Sequence, residues 1–292
     1  MMDHTTSSEE KEKGVGTTGH VWDEDLQEFN NPLPRWWLWT FYATILWGIG
    51  YTIAYPAWPL INDSTAGLLG YSTRAEVAAD IEAVETSNKS INERLESVDL
   101  VDIEADDELS AYAISAGGAV YQTWCAQCHG SGAAGAVGYP NLLDDDWLWG
   151  GDIESIHYTI SHGIRNESDD DAHFSQMPAF NELLEEEEIV QVVNYVQALS
   201  GNAANDLTRV ELGEVVYQEN CASCHGDTGE GDVYQGAPNI ADAIWLYGGD
   251  YETLIETVSY SRYGVMPPWI GRISESKIRA VSVYVHQLGG GE

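Results

Sequence analysis

Hydrophobic positions change their pattern along this 292-residue chain, and the changes divide it. Residues 1–19 are polar, rich in Ser, Thr, Glu and Lys, and are expected to be poorly ordered. Residues 20–35 stay polar but carry Trp22, Phe29 and two prolines, which suits a segment lying near a membrane surface. Residues 36–60 then run for 25 positions without a charged side chain. Trp36, Trp37 and Trp39 crowd one end, Tyr55 and Trp58 the other, and Pro56 and Pro59 stop the helix. A spanning helix needs about 20 apolar residues for a ~30 Å hydrocarbon core, so one is predicted over 36–60. A cleaved signal peptide fits less well, because the run starts late, is long and lacks an A-x-A exit. A buried core helix is the alternative. Residues 61–108 mix aliphatic and charged side chains, as expected for a linker with helix.

From about residue 109 the chain repeats itself. VYQTWCAQCHG (120–130) matches VYQENCASCHG (216–226) at an offset of 96. Farther on, Pro140-Asn141 matches Pro238-Asn239, Trp147-Leu148 matches Trp245-Leu246, and Gly150-Gly151-Asp152 matches Gly248-Gly249-Asp250. Met177-Pro178 lines up with Met266-Pro267, and Tyr195 with Tyr284 in two similar closing helices. Two modules are therefore predicted, 109–201 and 202–292, each near the size of a small domain. Each reads as a helix into the Cys motif, a Gly- and Pro-rich loop, a short middle helix, a Met loop and a final helix. Ile189, Val192, Val193 and Val196 fall at helical spacing, and no alternating strand pattern stands out. The fold class read from the sequence is all-α: one N-terminal transmembrane helix followed by two tandem domains, one per repeat.

Every cysteine lies in one of two C-x-x-C-H motifs, Cys125-Ala-Gln-Cys128-His129 and Cys221-Ala-Ser-Cys224-His225. The motif reads as c-type haem attachment. Two thiols three positions apart bond the two vinyl groups of one porphyrin, and the following His reaches the iron. The predicted cofactors are two covalently bound haem c groups. Zinc would want four ligands at its own spacing, two disulfides would leave the histidines unexplained, and a thioredoxin-like pair would sit in a βαβ pattern. Met177 and Met266 are the only methionines beyond the first two positions and lie 48 and 41 residues after His129 and His225. They are the candidates for the second axial position. His/Met ligation raises the reduction potential, and an iron filled on both faces suits electron transfer rather than oxygen binding. Spacing leaves open which Met serves which haem: pairing within each module and crossed pairing both fit.

Among the remaining candidates, His157, His162 and His173 read as surface or propionate-contacting residues, His286 as structural, and Arg165 and Arg262 as equal candidates for a haem propionate. No general acid, base or nucleophile motif points to a catalytic residue.

Charge narrows the partners. Lys and Arg total 12 against 48 Asp and Glu, a formal net of −36, which excludes nucleic acid as a partner. It favours a basic partner, or serves solubility in salty or alkaline surroundings. Covalent haem attachment takes place on the outer side of the bacterial energy-coupling membrane. The expected topology is therefore single-pass in the inner membrane, N-terminus cytoplasmic and haem domains periplasmic.

The chain resembles the dihaem subunit of cbb3-type cytochrome c oxidases. The resemblance rests on His20-Val-Trp22-Asp23, on Asn30-Asn31-Pro-Leu-Pro-Arg35-Trp-Trp-Leu-Trp-Thr40, on Ile49-Gly50-Tyr51 and Tyr55-Pro-Ala-Trp-Pro59, on HGIRN (162–166) before SQMPAF (175–180), and on both C-x-x-C-H modules. It implies haem c bound through Cys125, Cys128, Cys221 and Cys224, with iron ligands His129, His225, Met177 and Met266. It also implies electron transfer from a cytochrome c donor to a monohaem cytochrome c subunit and then to the haem–copper catalytic subunit, where oxygen is reduced with proton translocation. On that reading the chain is not catalytic alone, and membrane lipid surrounds its anchor. A freestanding membrane-anchored dihaem shuttle and a dihaem peroxidase-like enzyme are the alternatives.

Overall fold

Two short polar stretches without an alternating apolar pattern pair as a hairpin. In the computed structural model, which describes residues 16–291, β1 (Thr17–Trp22) runs antiparallel to β2 (Leu26–Phe29), with Val21 opposite Gln27 and Trp22 opposite Leu26. The tip turns through Asp23 and Glu24 in left-handed conformation, which the short Asp side chain tolerates better than a branched one. This corrects the all-α expectation. Every residue of both strands is exposed, so burial imposes no period-two pattern that a sequence reading could detect. The disorder expected over 1–19 falls mostly outside the described residues.

The predicted spanning helix is also corrected. α1 covers Arg35–Ala54, and among the described residues no helix is long and apolar enough to cross a membrane. Absence of charge is the wrong measure of apolarity here. Trp, Tyr, Thr and Gly take eleven of the twenty positions of α1, and indole, phenol and hydroxyl groups each carry a polar atom. The helix also ends short of residue 60. Tyr55 is extended (φ −114°, ψ 161°) because Pro56 follows it.

The chain divides into two compact bodies, with the boundary between Thr86 and Ser87. In the first, the segment after α1 folds back on its end: Leu68 and Leu69 N–H donate to the carbonyls of Ile53 and Ala54 (2.9 and 3.0 Å). α2 (Thr73–Ser97) crosses the boundary.

The second body contains the repeats. α3 (Asp107–Val120) is capped by Asp106, whose carboxylate accepts from Leu109 N–H (3.1 Å) and pairs with Arg94. α3 runs through a wide π-helical turn, Tyr121–Cys125, into a single turn, α4 (Ala126–His129). α5 (Ile153–His162) starts on Asp152, which accepts from Glu154 and Ser155 N–H. α6 (Glu186–Leu199) begins with Glu188 reaching back to Glu185 N–H (2.8 Å). The second repeat supplies α7 (Val210–Asn220), α8 (Ala222–His225), α9 (Tyr251–Tyr260, capped by Asp250) and α10 (Glu275–His286).

Packing exchanges the closing helices. α10, which ends the second repeat, packs on α3 and α5 of the first. Its Ile278, Val281 and Val285 share a core with Val120, Tyr121, Ile156 and Ile160. α6, which ends the first repeat, packs on α7 and α9. Its Ile189, Val192, Val193 and Val196, the predicted apolar stripe, share a core with Val216, Tyr217 and Leu254. Both helix pairs cross at an equivalent glycine. A Cβ at Gly117 would lie 2.1 Å from the Ala280 carbonyl, and one at Gly213 would lie 2.1 Å from that of Gln191. The ring pairs Tyr121–Tyr284 (5.4 Å) and Tyr195–Tyr217 (5.2 Å) repeat the same contact. The segment from Met177 to Ser261 thus builds one core from contiguous chain, set into the other.

Candidate haem sites

The two C-x-x-C-H motifs share one pattern of hydrogen bonds, although only the first is entered through a π-helical turn. In each, a buried tyrosine one turn upstream fixes the glycine that follows the His: Tyr121 Oη donates to Gly130 O (2.8 Å) and Tyr217 Oη to Gly226 O (2.7 Å). The same loops close on the His carbonyls, where Gly135 N–H donates to His129 O (2.9 Å) and Gly231 N–H to His225 O (2.8 Å). Gly130 and Gly226 have φ of 79° and 81°, the left-handed exit that ends each single turn.

The four cysteines form no disulfide. Cys128 and Cys224 are exposed, while burial pushes the thiols of Cys125 and Cys221 up to about 11. These two are therefore thiols at neutral pH, unlike the thiolates of metal or redox cysteines.

Both histidines are oriented by a carbonyl. His129 Nδ1 lies 3.1 Å from Pro140 O, and His225 Nδ1 lies 2.9 Å from Pro238 O. A carbonyl only accepts, so Nδ1 carries the proton and Nε2 keeps its lone pair for a metal. Burial lowers both imidazoles below the ordinary His value, which favours this neutral form. The prolines are those the repeat matched.

The methionines are delivered crosswise. Met266, from the second repeat, is fixed to the end of α5: Met266 N–H donates to Ile164 O and Ile164 N–H to Met266 O, both at 3.0 Å. Its side chain packs on the core that holds Cys125. Met177, from the first repeat, is fixed to the end of α9, where its carbonyl accepts from the Ser261 hydroxyl. Cys221 packs on the core that α9 shares with α6. Met266 thus lies against the core that holds Cys125, and the Met177 loop is tied to a helix of the core that holds Cys221.

The surroundings fit a porphyrin. Trp149 Nε1, Trp245 Nε1 and His173 Nε2 are buried without a hydrogen-bond partner. Unmade bonds at buried donors are costly, and the propionate carboxylates of a haem would satisfy them. Trp149 and Trp245 stand at different positions of the matched WLWGGD and WLYGGD stretches (147–152 and 245–250). The other histidines meet carboxylates: His157 lies 3.0 Å from Glu275, His162 3.2 Å from Asp169, and His286 3.2 Å from Glu104. His173 instead stacks on Trp149 (4.2 Å, 9°). Arg262 meets Glu256 and lies over Tyr247.

Comparison with known proteins places both halves of the chain. Residues 14–62 match the family model for the N-terminal domain of cytochrome oxidase-cbb3, FixP. Residues 113–196 and 208–285 match that for cytochrome c oxidase, cbb3-type, subunit III. Similar curated proteins include the cbb3-type cytochrome c oxidase subunit CcoP of Cereibacter sphaeroides, 59% identical over 278 residues (94% of this chain, 95% of the relative). CcoP of Rhodobacter capsulatus is 53% identical over 291 residues (96% and 97%), and FixP of Azorhizobium caulinodans 48% over 279 (96% and 94%).

Proposed function

This chain belongs to the subunit III family of cbb3-type cytochrome c oxidases, and on that premise we propose that it is the oxidase's dihaem electron-transfer subunit. It would accept electrons from a cytochrome c donor. It would pass them through two c-type centres to a monohaem subunit and on to the haem–copper subunit that reduces oxygen. The acidic surface suits a basic donor.

The observation that carries this reading is the pair of matched sites, each with a carbonyl-locked His, with Met266 packed on the core of the first and the Met177 loop tied to α9 of the second. When bound, haem c supplies a one-electron iron couple, and His/Met ligation sets it at high potential. Cys125 and Cys128 would hold one porphyrin, with His129 and Met266 on its iron. Cys221 and Cys224 would hold the other, with His225 and Met177. Pro140 and Pro238 fix the imidazole tautomer and ring orientation. The apolar core of α3–α5–α10, on which Met266 packs, would limit water and so reorganisation when the charge on iron changes. The haem-bearing body is assigned to the outer side of the bacterial inner membrane, where haem is attached to C-x-x-C-H.

Mass spectrometry of the mature chain with a pyridine haemochrome of the purified oxidase tests the reading. Two porphyrin increments on this chain are expected, with b-type haem in the complex. An unmodified mass would overturn it.

A further inference from the structure

Arginines in the second body separate into two kinds. Arg94, Arg209, Arg262 and Arg279 each meet a carboxylate, and Arg272 is exposed. Arg165 is neither exposed nor paired. No Asp or Glu among the described residues lies within ion-pair distance of it, although its side chain is partly buried beside the Tyr263 ring. It sits just beyond the end of α5, in left-handed conformation (φ 52°). Its Nε donates to Ser175 O (2.5 Å) and its Nη1 to Gly264 O (3.0 Å). Two of five N–H donors are thus used and three remain. Burial lowers its pKa, the direction for a cation lacking a counter-charge.

Two orphan groups lie in the same corner. Arg165 N–H donates to the His173 carbonyl (2.7 Å). The His173 ring, with Nε2 buried and unpartnered, stacks on Trp149, whose Nε1 is also buried and unpartnered. The neighbouring residue Ile164 makes the two bonds that fix Met266. A guanidinium with N–H groups to spare, held between the two Met loops, and two buried orphan ring nitrogens call for a carboxylate.

We infer that Arg165, with Trp149 and His173, forms the corner that holds a haem propionate and raises the reduction potential of that haem. The inference rests on the haem reading above and separates Arg165 from Arg262, which the sequence left equal. Ferric haem carries one more positive charge than ferrous haem. A fixed cation in a poorly solvated corner disfavours the ferric state and also neutralises the propionate that would favour it. Arg165 is a positioning residue here, acting through the propionate on the iron.

The test is a spectroelectrochemical titration of the full chain in the oxidase complex between pH 5.5 and 8.5. Arg165→Gln is expected to keep both haems by mass. It should shift the ferric/ferrous equilibrium of one haem at least tenfold toward ferric, about 59 mV for a one-electron couple. That haem's potential should also become pH-dependent, because its propionate is no longer held ionised. Arg165→Lys is expected to recover at least half of the shift, and Trp149→Phe to shift the same haem severalfold in the same direction. If Arg165→Gln fails to fold, Trp149→Phe decides. Both haems present with unchanged potentials in the folded variants would overturn the inference and leave the haem reading intact. A wild-type chain without porphyrin would overturn the reading itself.

Discussion

Ile164 and Met266 exchange both backbone hydrogen bonds, 3.0 Å each way, although one belongs to the first repeat and the other to the second. This pairing ties the second Met loop to the end of α5, the middle helix of the first repeat. It gives the proposed iron sites a crossed set of ligands. Met266→Ala should therefore change the haem at Cys125 and Cys128, and Met177→Ala the haem at Cys221 and Cys224. The check is a single-haem background, Cys221→Ser with Cys224→Ser. In it, Met266→Ala is expected to lower the potential and open the iron to CO, while Met177→Ala leaves both unchanged. The opposite result would restore pairing within each repeat.

The exchange also predicts which pieces fold. The contiguous fragment 174–262 carries Met177, α6, α7, α8 and α9, the whole of one core. The fragment 202–292, cut by the sequence repeat, carries α10 without its partner α3. Ile278, Val281, Val283 and Val285 of α10 are all at most 4% exposed. At ~1.5–3 kcal/mol per buried side chain, exposing them removes most of a domain's ~5–15 kcal/mol. Fragment 174–262 is expected to attach one haem and unfold cooperatively, and 202–292 to melt at lower temperature without a sharp transition. Calorimetry of the two would show otherwise if the reverse order held.

The candidate haem motifs were legible because the chemistry of C-x-x-C-H is local. Cys125, Cys128 and His129 are fixed by spacing within one helical turn, and the two copies vouch for each other. The stripe on α6 was legible because one face is buried. The exchange was not, since α6 and α10 carry the same pattern, with Tyr195 and Tyr284 equivalent, and either would suit either core. The hairpin escaped because none of its residues is buried. The predicted spanning helix failed because Trp, Tyr, Thr and Gly are uncharged without being strongly apolar. Arg165 and Arg262 looked alike until their surroundings separated them.

Gly117 tests the crossing of α3 and α10. In an open helix, Gly→Ala would gain about 1 kcal/mol in propensity. Here the added Cβ would lie 2.1 Å from the Ala280 carbonyl, a backbone atom that cannot rotate away. Overpacking of this kind costs about 1–3 kcal/mol, and the clash outweighs the gain. Gly117→Ala is expected to lower the Tm, and Gly118→Ala, whose nearest contact is a Tyr284 ring atom at 3.3 Å, to lower it less. Equal or raised Tm values for Gly117→Ala would contradict the observed crossing.

Asp146 gives the protein a pH dependence opposite to that of a salt-bridged carboxylate. Burial, then Asp242, Asp144 and Asp145, raise it from the ordinary 3.8 to about 6. A carboxyl whose pKa rises on folding is stabilising while protonated. Its contribution is fully present below pH 3.8 and is lost as pH rises through 6. A rise of that size corresponds to about 3 kcal/mol, but Asp146 is only partly buried, and solvent screening reduces this to about 1 kcal/mol. Asp146→Asn should therefore raise stability at pH 7 by about 1 kcal/mol relative to wild type. The difference should shrink as pH falls from 6 to 4, and it should also shrink in high salt, because part of the rise is repulsion among carboxylates. Denaturant midpoints of both proteins across pH 4–8 measure it. Parallel curves for the two would show that Asp146 is charged in the folded chain at no expense.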